Sequence, residues 1–228
     1  MFQKISGWYR TLLLQDEGLH VLLILLLLII FVAYPLQAMD VTDLVIVKAF
    51  ITLLTVSGIW AISQNRKRLF WIIAIAVLSM LFQWARSLSD ETWIIITSLC
   101  LASLFECLLA YFILLRTFAP GHVNLFRVEG SVVVYLLMGV ILSSLYTLIY
   151  IIEPTAFNFA DPPKNFEVAQ SRFMYFSFIT LTTIGYGDIQ PLMPISQSAA
   201  MLEGLIGQLF PAILIARLVS QSISENKS

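Results

Sequence analysis

The sequence predicts an all-α membrane protein: six spanning helices plus one shorter helix that turns back before reaching the far side. Three observations lead there. Of 228 residues, 59% are hydrophobic and only 12% charged, with a mean hydropathy of +0.89, more apolar surface than a soluble domain of this length can hide. Six apolar runs recur along the chain at close to the ~20 residues a helix needs to cross hydrocarbon. Between the fifth and sixth lies a glycine-bearing segment, Thr182-Thr183-Ile184-Gly185-Tyr186-Gly187-Asp188, preceded by an apolar stretch too short to span. A formal net charge of −1 gives no sign of a nucleic-acid partner.

Residues 1–17 mix Lys4, Arg10, Asp16 and Glu17 with Phe2, Ile5, Trp8, Tyr9 and Leu12, the pattern of a helix lying in the membrane interface. Gly18 to Tyr34 is a nearly unbroken Leu/Ile run stopped at Pro35. A cleaved leader ending near Ala38 is the competing reading, opposed by the long polar stretch ahead of the run and its two acids. The second run covers Leu44–Ile62 and stops at Gln64-Asn65-Arg66-Lys67-Arg68. The third covers Leu69–Ala85 and stops at Arg86-Ser87-Leu88-Ser89-Asp90-Glu91. The fourth, Thr92–Phe118, is closed by Pro120-Gly121, a helix-stopping pair. The fifth, residues 130–152, is closed by Glu153-Pro154. Residues 153–170 read as the longest polar loop. Ser171 is placed to cap a short helix over 171–182. The last helix covers 194–222, with a short cytoplasmic tail at 223–228 and no room for a soluble domain.

Basic residues set the orientation. With the N-terminus inside, internal segments hold Lys4, Arg10, Arg66, Lys67, Arg68, Arg116, Arg127, Arg217 and Lys227, nine of the thirteen. The acids Asp40, Asp43, Asp90, Glu91, Glu153, Asp161, Glu167 and Asp188 all fall outside. Both termini are therefore expected in the cytoplasm, and Thr182–Asp188 is expected to open outward.

The chemistry of that segment follows from its glycines. Gly185 and Gly187 let the backbone alternate between left- and right-handed φ, so consecutive carbonyl oxygens can aim to one side. Four such strands can replace the water around a K⁺ ion, and the Thr183 hydroxyl adds a ligand. The segment resembles the selectivity filter of tetrameric potassium channels, whose signature is T-x-G-Y-G-D. The resemblance implies a homotetramer of the six-transmembrane, pore-loop type, prokaryotic-like in its short loops. It implies K⁺ as permeant ion, no other cofactor, and stacked K⁺ sites at Thr183, Ile184, Gly185 and Tyr186, with Gly187 completing a filter over 183–187. Residues 18–118 then form a four-helix, voltage-sensor-like bundle. Residues 119–222 form the pore domain, with outer helix 130–152, pore helix 171–182 and inner helix 194–222.

The resemblance also assigns supporting roles. Thr182 and Asp188 flank the filter, and Asp188 concentrates cations at its mouth. The C-terminal end of the pore helix turns negative partial charge toward the middle of the membrane. Tyr186 is expected to pack on Phe173, Tyr175, Phe176 and Phe178. The commonest family pattern has two tryptophans where this chain has Tyr175 and Phe176. Tyr175 can still offer a hydroxyl to Asp188, but Phe176 offers nothing to Tyr186, leaving Thr180 as the nearby donor. Ile179 stands where some relatives carry a carboxylate, so no carboxyl lock is expected behind the filter. Glu203 is expected to brace the pore helix through Thr180 or Ser177, or else to sit among the helices as a neutral acid. Gly207 matches the family's hinge glycine, and Pro211 removes a hydrogen bond just below it; close packing is the other reason for a glycine there. Gln208, Pro211, Ile215 and Val219 share a face expected to line the cavity, with Ile215 and Val219 as a hydrophobic gate.

The first four helices lack the chemistry of a voltage sensor, which needs several basic residues at every third position. The fourth run carries one, Arg116, and one acid, Glu106. Lys48 is expected to snorkel to the outer headgroups, and Glu106 to sense pH or to serve as a satisfied structural acid. Cys100 and Cys107, seven apart on one helix face, are expected to be buried thiols, not a disulfide. Neither His20 nor His122 has a nucleophile or ligand set beside it, so an enzyme is not expected. The function read from the sequence is passive, voltage-insensitive K⁺ conduction across the cell membrane. The alternative is a channel-like sensor or regulatory membrane subunit that opens only with a partner protein.

Overall fold

The structure, a computed structural model, describes residues 18–39, 44–62, 66–86, 88, 91–118 and 125–225. The expected interfacial helix at 1–17, His122 and the tail from Asn226 lie outside them. Among the described residues, seven helices run in order: α1 (Gly18–Gln37), α2 (Leu44–Ile62), α3 (Arg66–Ala85), α4 (Thr92–Thr117), α5 (Leu125–Ile152), α6 (Phe166–Leu181) and α7 (Pro194–Glu225). Helices α1, α4, α5 and α7 are long and apolar enough to cross a membrane. Helices α2 and α3 carry the shorter apolar stretches Val45–Ala61 and Phe70–Ala85. Phe70, Trp71, Trp93 and Tyr111 are exposed, as suits helices whose solvent is lipid. This is an all-α membrane architecture.

Several boundaries differ from the hydropathy reading, for one reason. Apolar runs end at the first charge, whereas backbone hydrogen bonding continues through charged residues that have partners. Thus α5 begins at Leu125 rather than 130, taking in Glu129, whose carboxylate meets His20 Nδ1 at 2.7 Å. Helix α6 begins at Phe166, not 171. Its cap is Asn165, whose side chain accepts from the Val168 N–H at 2.9 Å. Ser171 is buried inside the helix and donates to the Tyr34 carbonyl of α1 at 2.9 Å. Helix α7 runs on through Pro211 to Glu225.

The supposed polar loop before α6 is largely structured. A 3₁₀ turn at Pro154–Ala156 leads into β1 (Phe157–Phe159), which pairs antiparallel with β2 (Ile189–Pro191), Asn158 opposite Gln190. The hairpin-like pair closes a covalent loop around α6 and Thr182–Asp188, so both ends of that segment are anchored at one place.

Two apolar clusters hold the molecule together. In the first, Leu19, Leu22 and Leu26 of α1 join Leu54, Phe105, Leu109, Val133 and Leu137 from α2, α4 and α5. The second surrounds Tyr146 of α5 with Phe157, Phe173, Phe176, Ile179 and Ile189. Gly139 allows α6 to press on α5, since a Cβ there would lie 2.7 Å from the Phe178 ring. Arg86, just past the end of α3, reaches α6, 4.3 Å above the Phe166 ring and 3.8 Å from the Glu167 carboxylate. Two expectations are corrected. Lys48 is 3% exposed, inside the bundle rather than snorkelled at its rim. Cys100 and Cys107 are free thiols on the exposed side of α4, not in its buried face.

Candidate functional site

The site is built at the C-terminal end of α6. Leu181 is fully buried and Ile189 nearly so, yet all seven residues between them, Thr182 to Asp188, are exposed in the single chain. Thr183 has φ 61°, Gly185 φ 56° and Gly187 φ 81°. Left-handed φ thus recurs at every second residue, which an extended strand never shows. Cβ atoms built on Gly185 and Gly187 would meet nothing within 4 Å. Their lack of a side chain is therefore a demand of the backbone and not of packing within the chain. Thr183 meets the same demand without being glycine, at some cost in strain.

Helix α6 supplies the suspension. The Thr183 N–H donates to the Thr180 carbonyl at 2.9 Å, and those of Ile184 and Gly185 donate to the Ile179 carbonyl at 2.8 and 3.1 Å. The last turn of the helix, whose carbonyls lack helical partners, is capped by the loop's own amides. Among the described residues, no backbone N–H donates to the carbonyls of Thr183, Ile184, Gly185 or Tyr186. The Gly187 carbonyl differs, accepting from the Gln190 side chain at 3.0 Å.

Thr182 and Thr180 turn their hydroxyls inward, to the Phe178 carbonyl at 2.6 Å and the Phe176 carbonyl at 2.8 Å. Thr180 has therefore spent its one proton and is not the donor expected for Tyr186. Nor do Phe173 and Phe176 pack on Tyr186. Both are buried against Tyr146, with centroids 6.3 and 5.0 Å away, while Tyr186 stays 70% exposed. Tyr175 stands close enough to Asp188 to feel its carboxylate: desolvation first, then pairing with and repulsion from Asp188, push the Tyr175 hydroxyl up to about 12.

Behind α6 lies a polar knot. Glu203, Tyr146 and Ser177 are all fully buried. Tyr146 donates to Glu203 Oε2, and the Ser177 hydroxyl lies 2.5 Å from Glu203 Oε1 and 2.7 Å from the Gly139 carbonyl. Of the two partners foreseen for Glu203, Ser177 is real and Thr180 is not. Tyr146 and Gly139 went unforeseen. The signal for Tyr146 was a lone hydroxyl in an apolar run, which alone does not say where it points.

Gly207 also has a local reason. A Cβ there would lie 1.8 Å from the Leu181 carbonyl oxygen, the same oxygen that accepts from Tyr135 at 3.2 Å. Its absence lets α7 touch the end of α6. On α7, Glu203 and Gly207 are buried and Phe210 stacks on Tyr135 at 6.1 Å. Gln208, Ile215 and Val219 lie bare, with Pro211 partly covered. Farther along α7, Arg217 donates to the Phe118 carbonyl and sits 4.4 Å above that ring.

Residues 131–223, less than half of the chain, match the family model described as ion channel. The stretch takes in most of α5, the hairpin, α6, the loop and most of α7. No curated protein and no solved structure matches the chain. With the apolar helices, the match supports a multi-pass membrane ion channel and not an enzyme.

Proposed function

We propose that four copies of this chain assemble around Thr182–Asp188 to form a K⁺-selective, voltage-insensitive channel of the cell membrane. The observation that carries this is the run of four carbonyls, Thr183 to Tyr186, left without backbone donors beside left-handed residues at 183 and 185. Once assembly encloses them, carbonyls need a partner, and where hydrocarbon surrounds the site no bulk water supplies one. A dehydrated cation on a shared axis does. Asp188, held by Tyr175, adds negative charge at the outer mouth.

Six spans are part of the proposal. Val45–Ala61 and Phe70–Ala85 lie at the short limit for crossing helices, about 17 residues, and the basic run Arg66-Lys67-Arg68 in the sequence between them favours the cytoplasmic side. Both termini are then cytoplasmic. The bare face of α7, with Gln208, Ile215 and Val219, lines the inner cavity and its gate. Glu203, with Tyr146 and Ser177, ties the short helix to α5 and α7 so that the loop keeps its width.

The test is reconstitution of the purified chain alone into liposomes under a K⁺ gradient. K⁺ flux that Ba²⁺ blocks, with Na⁺ flux far smaller, is the expected result. Silence with the chain alone, relieved by an added partner, would instead make it a regulatory subunit. Equal K⁺ and Na⁺ flux would remove the selectivity reading.

A further inference from the structure

The buried knot behind α6 needs one proton more than its hydroxyls supply. Three oxygen–oxygen contacts meet there: Tyr146 with Glu203 Oε2, Ser177 with Glu203 Oε1 at 2.5 Å, and Ser177 with the Gly139 carbonyl at 2.7 Å. Oxygens this close attract only with a proton between them. Tyr146 and Ser177 bring one hydroxyl proton each, and a backbone carbonyl brings none. Two protons cannot serve three contacts.

The count closes when Glu203 supplies the third. Oε1 then donates to the Ser177 hydroxyl, Ser177 donates to the Gly139 carbonyl, and Tyr146 donates to Oε2. Every polar hydrogen has an acceptor, and the bonds run unbroken from α7 through α6 to α5. With Glu203 ionised, Ser177 must choose between carboxylate and carbonyl. The contact it abandons is left as bare oxygen against oxygen.

The surroundings give a charge no help. Helix α7 packs on α5, α6 and β2. On α5, Arg127 and Glu129 lie roughly 25 Å or more along the axis from Tyr146. Tyr135 donates to the Leu181 carbonyl, and Tyr150 packs on Phe159 and Phe173. On α6, Glu167 meets Arg86, Arg172 meets Asp161, and Tyr175 stands beside Asp188. Strand β2 carries no titratable side chain. Arg217 is roughly 21 Å farther along α7. A carboxylate at Glu203, 0% exposed, would be a buried charge without a cation, which is costly.

We propose that Glu203 is kept as a neutral carboxylic acid whose proton fastens α7 to α6, and that alkaline pH, by removing it, loosens α6 from its neighbours. The bound ligand is a proton, and the site stands whether or not the loop conducts. An unfolded chain releases a glutamic acid proton near pH ~4.3, whereas the fold retains this one. Stability is therefore greatest below that range and falls as pH rises above it.

Infrared spectroscopy of the purified full chain in detergent, at neutral pH, tests the proton directly. The wild type should show the C=O stretch of a protonated carboxyl that Glu203→Gln lacks. Tyr146→Phe should keep that band and move it to higher frequency, because the C=O loses its donor; this variant serves if Glu203→Gln does not fold. On raising the pH from about 5 to about 7, the wild-type Tm should fall about 3–5 °C per unit more steeply than that of Glu203→Gln. Loss of a carboxylate band in Glu203→Gln, an unmoved spectrum in Tyr146→Phe, or equal pH slopes would overturn the proposal. None of these readouts uses K⁺ flux, so silence in liposomes sinks only the channel reading.

Discussion

Gly207→Ala tests how α7 holds the end of α6. The added methyl would lie 1.8 Å from the Leu181 oxygen and 2.7 Å from its carbon, whereas real Cβ atoms do not come within 3.0 Å. Both obstacles are backbone, so no rotamer change relieves them, and the two helices must part by about 1.2 Å, the gap between 1.8 and 3.0. Overpacking of this kind costs about 1–3 kcal/mol, and the weakened bond from Tyr135 adds up to about 1 kcal/mol. Alanine returns up to about 1 kcal/mol through helix propensity. The clash wins by about 2 kcal/mol, which in a chain of this length lowers Tm by roughly 4–8 °C. Because Leu181 directly precedes Thr182, K⁺ flux should fall as well. Gly204→Ala is the control. It lies three residues away in the same helix with nothing within 4 Å of its Cβ, so it should be neutral or slightly stabilising. Unfolding of both variants in detergent, followed by far-UV circular dichroism, gives the comparison. A Gly207→Ala protein as stable as the wild type, or equal losses in the two variants, would refute the reasoning.

Gly185→Ala should abolish selective K⁺ flux at little cost in helix content, because φ 56° strains any residue with a Cβ; retained selective flux would contradict the carbonyl arrangement. Glu203→Ala should lower stability by about 2–5 kcal/mol, since it strands the buried Tyr146 hydroxyl and opens a cavity where the carboxyl stood, while Ser177 keeps the Gly139 carbonyl. Glu203→Gln keeps an oxygen for Tyr146 and an N–H for Ser177, so it should retain most of the stability; equal losses in the two would show that a carboxylate charge is required. Tyr175→Phe should leave folding intact but speed the decline of K⁺ current during long openings, as Asp188 loses its tether; unchanged kinetics would count against it. Open probability should vary little between about −100 and +100 mV, because Arg116, donating to the Ala61 carbonyl at 3.0 Å, is the one basic residue of α4; a steep sigmoid would overturn this.

Local chemistry made the centre of the fold legible in the sequence. Two glycines in a seven-residue segment announced left-handed φ before any coordinate, and Thr183 was the residue there that propensity gave no reason to suspect. Helix ends were less legible, because hydropathy stops at charges such as Glu129, whose partner His20 comes from another helix. The β1–β2 pair went unseen because three-residue strands carry too little periodicity to register. Side-chain direction was least legible of all. Phe173 and Phe176 are spaced as well for facing Tyr186 as for facing Tyr146, and only the packing of α5 against α6 decides between them. Lys48 reads as a rim residue by depth alone, yet it is buried.

Two features of the single chain ask for company, and they do not weigh equally. Helix α7 leaves Leu205, Leu209, Ile213 and Ile215 more than half exposed, which in water would argue strongly for association. In a membrane it argues for little, since lipid tails cover leucine as well as another helix does. The loop is the reverse case. Its four carbonyls lie next to apolar helices, and each polar group left unpaired in hydrocarbon costs several kcal/mol. In the proposed channel, the polar loop therefore favours assembly more than α7 does. On that proposal, withdrawing K⁺ should loosen a tetramer more than trimming an exposed leucine of α7 would, because the ion would be the partner of those oxygens.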